Sequence, residues 1–255
     1  MSYLGLVNGI CRDFLPKVVK DQPIILEIGI DKGLSALPII QNLSYKFDHF
    51  LYVGIDILVR QEVVEQISQF ENVSIYGLDE LSGRDVILVE DNSLNWLPQQ
   101  IEMNSPLRFD IVFIDGDHNY YTVLQELKLV KPLLKPTSII VCDDFNGPWA
   151  EQDLFYSERE EYALIESATS PYGHRQPDKQ GVQTAIYEFL NEDDGWLTYG
   201  WPELEPLILY RKDQWKRLST DGGSPGHTHL RNWKFDFEPV EPPPAFQRLI
   251  GKENS

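Results

Sequence analysis

The sequence predicts an α/β fold: a doubly wound, mostly parallel sheet with an antiparallel edge hairpin and helices on both faces. Three observations predict it. Near-continuous apolar runs recur, as in Ile24-Ile-Leu-Glu-Ile-Gly-Ile30, and runs without polar alternation suit strands buried on both faces. Segments with apolar residues at helical spacing follow most of these runs. Strands alternating with helices build right-handed βαβ units and a parallel sheet.

The elements follow in order. Leu6, Val7, Ile10, Phe14, Leu15 and Val18 are spaced as on a helix. Strands are expected at residues 24–30, 51–57, 86–90, 109–115 and 138–142, and helices at 33–43, 60–70 and 93–103. Residues 73–85 hold a short strand and a turn around Ser82-Gly83. The helix after the fourth main strand runs to about Leu134, and Thr122-Val-Leu-Gln125 has a capping-box pattern near its start. Residues 146–180 are polar and punctuated by proline and glycine, which reads as a lid with one short helix at 158–167. A helix at 181–191 precedes two short strands, 196–201 and 207–210, that pair as an antiparallel edge. Residues 1–212 form the domain. Residues 213–255, with Gly222-Gly-Ser-Pro-Gly226 and Glu241-Pro-Pro-Pro244, form an irregular extension that could reach a second copy of the chain.

The 255 residues carry 22 basic and 40 acidic side chains, a formal net charge of -18. That charge repels phosphate backbones and anionic membrane surfaces, so neither nucleic acid nor membrane is an expected partner. Cys11 and Cys142 are too few for a disulfide framework. No basic segment followed by an apolar core opens the chain, and no apolar run has the length of a membrane span. The expected location is cytoplasmic.

In a doubly wound sheet, ligands bind outside the carboxyl ends of the strands. The first strand ends in Glu27-Ile-Gly29-Ile-Asp-Lys-Gly33, where glycines permit a tight turn and close approach to a ligand. The second ends in Asp56, placed to accept hydrogen bonds from ribose hydroxyls. Together they point to a nucleoside-containing cofactor. Asp115, Asp117, Asp143 and Asp144 crowd two further strand ends. Like charges that close are costly unless a cation sits among them. Oxygen-only ligands suit Mg²⁺ or a similar divalent ion.

The spacing Glu27-x-Gly29-x-x-x-Gly33 resembles class I S-adenosylmethionine-dependent methyltransferases, which have a Rossmann-like sheet. It departs from the dinucleotide fingerprint because Asp31 stands where a second glycine would be. The segment Asp91-Asn92-Ser93 resembles the stretch that meets adenine in that family. Asp115-Gly-Asp117-His118-Asn-Tyr120, followed by Asp143-Asp144, resembles the branch of metal-dependent sugar and macrolide O-methyltransferases and cephalosporin-hydroxylase-like proteins, over about residues 20–212. The resemblance implies S-adenosylmethionine contacts at Glu27, Gly29, Gly33, Asp56, Asn92, Ser93 and Asp115. It implies Mg²⁺ ligands at Asp115, Asp143 and Asp144, and a base at Asp117 or His118. The implied reaction is methyl transfer to a hydroxyl of a sugar-bearing or phenolic small molecule.

Other readings are a nicotinamide-dependent oxidoreductase on the same sheet and an inactive binding module. Trp149, Phe155 and Tyr156 line an acceptor pocket or pack in the core. His174 and Arg175 read as solvated lid residues. His227 and His229 lack partners at zinc-ligand spacing.

Overall fold

The computed structural model describes residues 3–75, 83–165, 174–199, 206–217 and 237–239. The chain opens with α1 (Tyr3–Gly9), a π-helical turn (Ile10–Phe14) and α2 (Leu15–Val18). Then follow β1 (Ile24–Ile28), α3 (Ala36–Lys46), β2 (Phe50–Asp56), α4 (Gln61–Ile67), β3 (Ser74–Ile75), β4 (Arg84–Glu90) and α5 (Ser93–Glu102). The second half holds β5 (Phe109–Ile114), α6 (Tyr120–Val130), β6 (Leu134–Cys142), α7 (Gly181–Glu192), β7 (Trp196–Tyr199) and β8 (Leu207–Arg211).

The eight strands are ordered β3-β4-β2-β1-β5-β6-β8-β7. β8 runs antiparallel to both β6 and β7, and the other pairs are parallel. The order reverses between β1 and β5, which makes their carboxyl ends the switch point.

Both faces of the sheet are dry, which is why its strands read as continuous apolar runs. On β1, Ile25 packs among residues of α1, α3 and α4, while Leu26 and Ile28 pack among those of α5, α6 and α7. β5 divides likewise, with Ile111 and Phe113 on one face and Val112 and Ile114 on the other. Each buried side chain of this size contributes about 1.5–3 kcal/mol. The central strands therefore form a stiff base for whatever their ends carry.

Several local expectations change. The cap of α6 is Asn119, whose side chain accepts from Thr122 N–H at 2.8 Å. The capping-box pattern at Thr122 thus lies inside the first turn. β6 starts at Leu134, earlier than its apolar run suggests. Over residues 158–165 of the helix expected at 158–167 there is a 3₁₀ turn, Tyr156–Glu158, and further turns, and residues 166–167 lie outside the described residues. Asp153 accepts from Tyr120 N–H and Gly181 N–H, both at 2.8 Å, and so joins the starts of α6 and α7.

In the extension, β9 (Trp215–Arg217) pairs antiparallel with β10 (Phe237–Pro239). His227, His229, Ser82 and the glycine- and proline-rich stretches lie outside the described residues. Among the described residues, no helix is long and apolar enough to cross a membrane.

Candidate active site

Register brings the expected residues together. Ile55 and Ile114 both pair with Ile28, and Cys142 pairs with Ile114. The next residues along, Asp56, Gly29, Asp115 and Asp143, therefore form one row across β2, β1, β5 and β6. Gly29 has φ +90°, and a Cβ there would lie 2.1 Å from the Asp115 carbonyl oxygen. Glycine is needed at that point for both conformation and space.

The turn after β1 is organised by Asp56. One of its carboxylate oxygens accepts from Ile30 N–H (2.7 Å) and Asp31 N–H (2.8 Å), and the other from Leu58 N–H (3.0 Å). Asp31 itself has φ +41°, so a non-glycine residue sits in the left-handed region where the sequence lacks the second glycine. Gly33, at φ +74°, ends the turn against Val63.

A cavity opens above this turn. Gly29, Asp56, Asn92, Ser93 and Asp115 all line it. Asn92 caps α5 by accepting from Leu94 N–H at 2.8 Å. Glu27 does not line the cavity. It is wholly buried beneath the turn and accepts hydrogen bonds from Ser35 and the Tyr52 hydroxyl. Burial pushes its pKa up to about 7, against the pull of those two donors. Gly33 also lies outside the lining.

The carboxylates at β5 and β6 are arranged differently. Asp115 and Asp143 lie close enough that each disfavours the other's charge. Burial first, and Asp143 second, push Asp115 well above the usual carboxylate range. Asp144 has φ +54°, and its Oδ2 lies 3.4 Å from His118 Nδ1. His118 Nε2 is 3.8 Å from Asp115 Oδ1. The ring lines neither large cavity. Burial, with Arg159 nearby, lowers its pKa to about 4. Asp117 does line the cavity, but it accepts from Tyr156 N–H (3.0 Å), Asn119 (2.6 Å) and the Thr122 hydroxyl (3.2 Å). Burial raises it to about 6.

The donor set is thus oxygen-rich, as a hard divalent cation needs. Among the described residues, however, no group of three or more His, Cys, Asp or Glu side chains converges to hold a metal ion.

Sequence reasoning missed four contributors. Glu126, on α6, accepts from the Ser93 hydroxyl at 2.5 Å, and its second carboxyl oxygen is buried at the cavity without a hydrogen-bond partner among the described residues. Burial raises its pKa to about 8. An acid among Val123, Leu124 and Leu127 was the available signal. Arg60, Glu161 and Tyr162 form a clasp over the cavity. The Arg60 guanidinium is 2.9 Å from Asp31, contacts Glu161, and donates to the Tyr162 hydroxyl at 3.0 Å. Tyr156 lines the cavity, whereas Phe155 is core. His174 stacks on Tyr121 with centroids 4.1 Å apart, and Arg175 pairs with Glu158 at 3.2 Å.

Residues 26–145 match a family model described as a methyltransferase domain. No curated protein sequence matches the chain. The fold is similar to that of CalS11, a TDP-rhamnose 3'-O-methyltransferase of calicheamicin biosynthesis, with 16% identity over 82% of this chain and 79% of that one and a TM-score of 0.54. Also similar are the Podospora anserina methyltransferase PaMTH1 (20% identity, 82% and 78% covered, TM-score 0.49) and a Bacillus cereus O-methyltransferase (18%, 82% and 79%, 0.44). The domain match decides against the nicotinamide reading. Residues 26–145 of the chain thus carry a methyltransferase domain, on a Rossmann-like sheet.

Proposed function

We propose that the protein transfers the methyl group of S-adenosylmethionine to a hydroxyl of a small, sugar-bearing or phenolic acceptor. The observation that carries this reading is the Asp115–Asp143 pair. Asp115 lines the cavity above the turn, and both aspartates line a second cavity next to it. A hydroxyl is a poor nucleophile until its proton is removed, and carboxylates between donor and acceptor are placed for that task.

The chain's own groups account for most of the work. The turn held by Asp56 admits the cofactor backbone close to Gly29, with Asn92, Ser93 and Glu126 at the wall across the cavity. The Arg60 clasp narrows the opening, so donor and acceptor are held in line; positioning supplies much of the acceleration in such a displacement. The acceptor proton passes to the Asp115–Asp143 pair. His118, wedged between Asp115 and Asp144, fixes their orientation. Asp117 is committed to three donors, which makes it a holder of the Tyr156 turn. Asp115 and Asp143 would hold a divalent cation, which would lower the pKa of a bound hydroxyl.

The sugar named for CalS11 makes methyl glycosides the first acceptors to try, followed by catechols. Release of S-adenosylhomocysteine on hydroxylated acceptors, and none on matched amines and thiols, is the expected result. Transfer confined to amines or thiols would overturn the hydroxyl reading. Loss of transfer in EDTA with recovery on Mg²⁺ supports the cation at Asp115 and Asp143. Full activity in EDTA removes it and leaves the carboxylate pair as proton acceptor.

A further inference from the structure

A second cavity lies beside the cofactor cavity and shares Gly29, Asp31, Asp115 and Tyr156 with it. Its other wall is α1 and the turn after β1. Tyr3 from α1 is 6% exposed, and its hydroxyl oxygen is buried with no hydrogen-bond partner among the described residues. The ring is held edge-on by Phe113, with centroids 6.5 Å apart and planes at 90°. Leu6, Val7 and Ile10 anchor the helix to the sheet, so the hydroxyl sits on a fixed element. A buried hydroxyl with no partner is costly unless something donates to it or accepts from it.

We propose that this cavity is the acceptor site, and that the Tyr3 hydroxyl orients an uncharged, hydroxylated ring within it. The inference rests on the methyl-transfer reading above. Adjacency supports it: an acceptor in this cavity meets the cofactor only where Asp115 and Gly29 line both spaces. Lining chemistry sets the class. Asp31 is already paired with Arg60, but Asp115 and Asp143 lie together in the lining with Lys32 as its one cation, and the negative charge they hold between them repels an anionic acceptor. Leu4 and Leu34, both exposed, offer apolar surface for the faces of a ring at the mouth. Burial and the nearby Asp115, Glu27 and Asp143 raise the phenol's pKa well above its usual value, so it remains a donor at neutral pH.

The test is calorimetry on the full chain saturated with S-adenosylhomocysteine, using catechol as the probe. Wild type binds catechol. Tyr3→Phe weakens it about tenfold, the loss of one hydrogen bond, and Leu34→Trp, which fills the mouth, weakens it at least as much. Both variants bind S-adenosylhomocysteine as wild type does. The anionic 3,4-dihydroxybenzoate binds more weakly than catechol. Catechol binding that is absent in wild type, or unchanged in both variants, overturns the proposal, and equal binding of the benzoate overturns the charge argument. Failure of wild type to bind S-adenosylhomocysteine sinks the methyl-transfer reading instead.

Discussion

β2 and β5 each end in an aspartate that lines the cofactor cavity, and the two are held in opposite ways. Asp56 is surrounded by donors, accepting three backbone N–H groups from two turns. Asp115 faces another carboxyl, and burial adds to the cost of its charge. The first arrangement spends a carboxylate on shaping backbone. The second keeps one at the edge of two cavities in a state that binding of a proton or cation can change. The same residue type in the same row thus serves architecture on one side of Gly29 and, in the proposed reaction, chemistry on the other.

That contrast can be broken at its centre. Gly29→Val places a side chain against the Asp115 carbonyl at a φ of +90°. It should cost at least about 3 kcal/mol and abolish S-adenosylhomocysteine binding, read by thermal unfolding and calorimetry. The two sides should then separate by kinetics. Asp143→Asn should lower the transfer rate about a hundredfold or more, with cofactor affinity within about twofold of wild type. Asp56→Asn should do the reverse, weakening cofactor about tenfold or more through the loosened turn and sparing the rate at saturation. If both variants change the same parameter, the division is wrong.

Beneath the turn, Glu27 makes a pH-dependent contribution. Its folded pKa of about 7 lies above the ordinary 4.5, so the protonated form is favoured on folding. Its stabilising contribution is full below pH 4.5 and is lost as pH rises through 7. The difference amounts to roughly 3 kcal/mol. Urea unfolding across that range should show a shallower fall for Glu27→Gln than for wild type. Arg60→Ala should have the smallest effect. Its exposed ion pairs contribute under about 1 kcal/mol, and the KM for cofactor should rise a few-fold while kcat holds.

The central strands and the row at their ends were legible because one property, burial on both faces, writes them as apolar runs that stop at Gly29, Asp56, Asp115 and Asp143. Glu126 was not legible. Its partner, Ser93, is 33 residues away, and only the packing of α5 on α6 turns an acid in a helix toward the cavity. Glu27 has the right spacing, yet it faces Ser35 and Tyr52 because strand alternation sends its side chain under the turn. The clasp was hidden for the same reason as Glu126, since Arg60 and Tyr162 are 102 residues apart. The short helix expected after Glu158 gives way to turns that bury Tyr162 and direct Tyr156 toward the cavities.

The central claim is that the row across β2, β1, β5 and β6 binds S-adenosylmethionine. Calorimetric titration of the wild-type chain with S-adenosylhomocysteine tests it most directly. One site per chain with micromolar affinity, lost in Gly29→Val and kept in Asp143→Asn, is the predicted result. No heat at millimolar ligand, or binding that survives Gly29→Val unchanged, would contradict it.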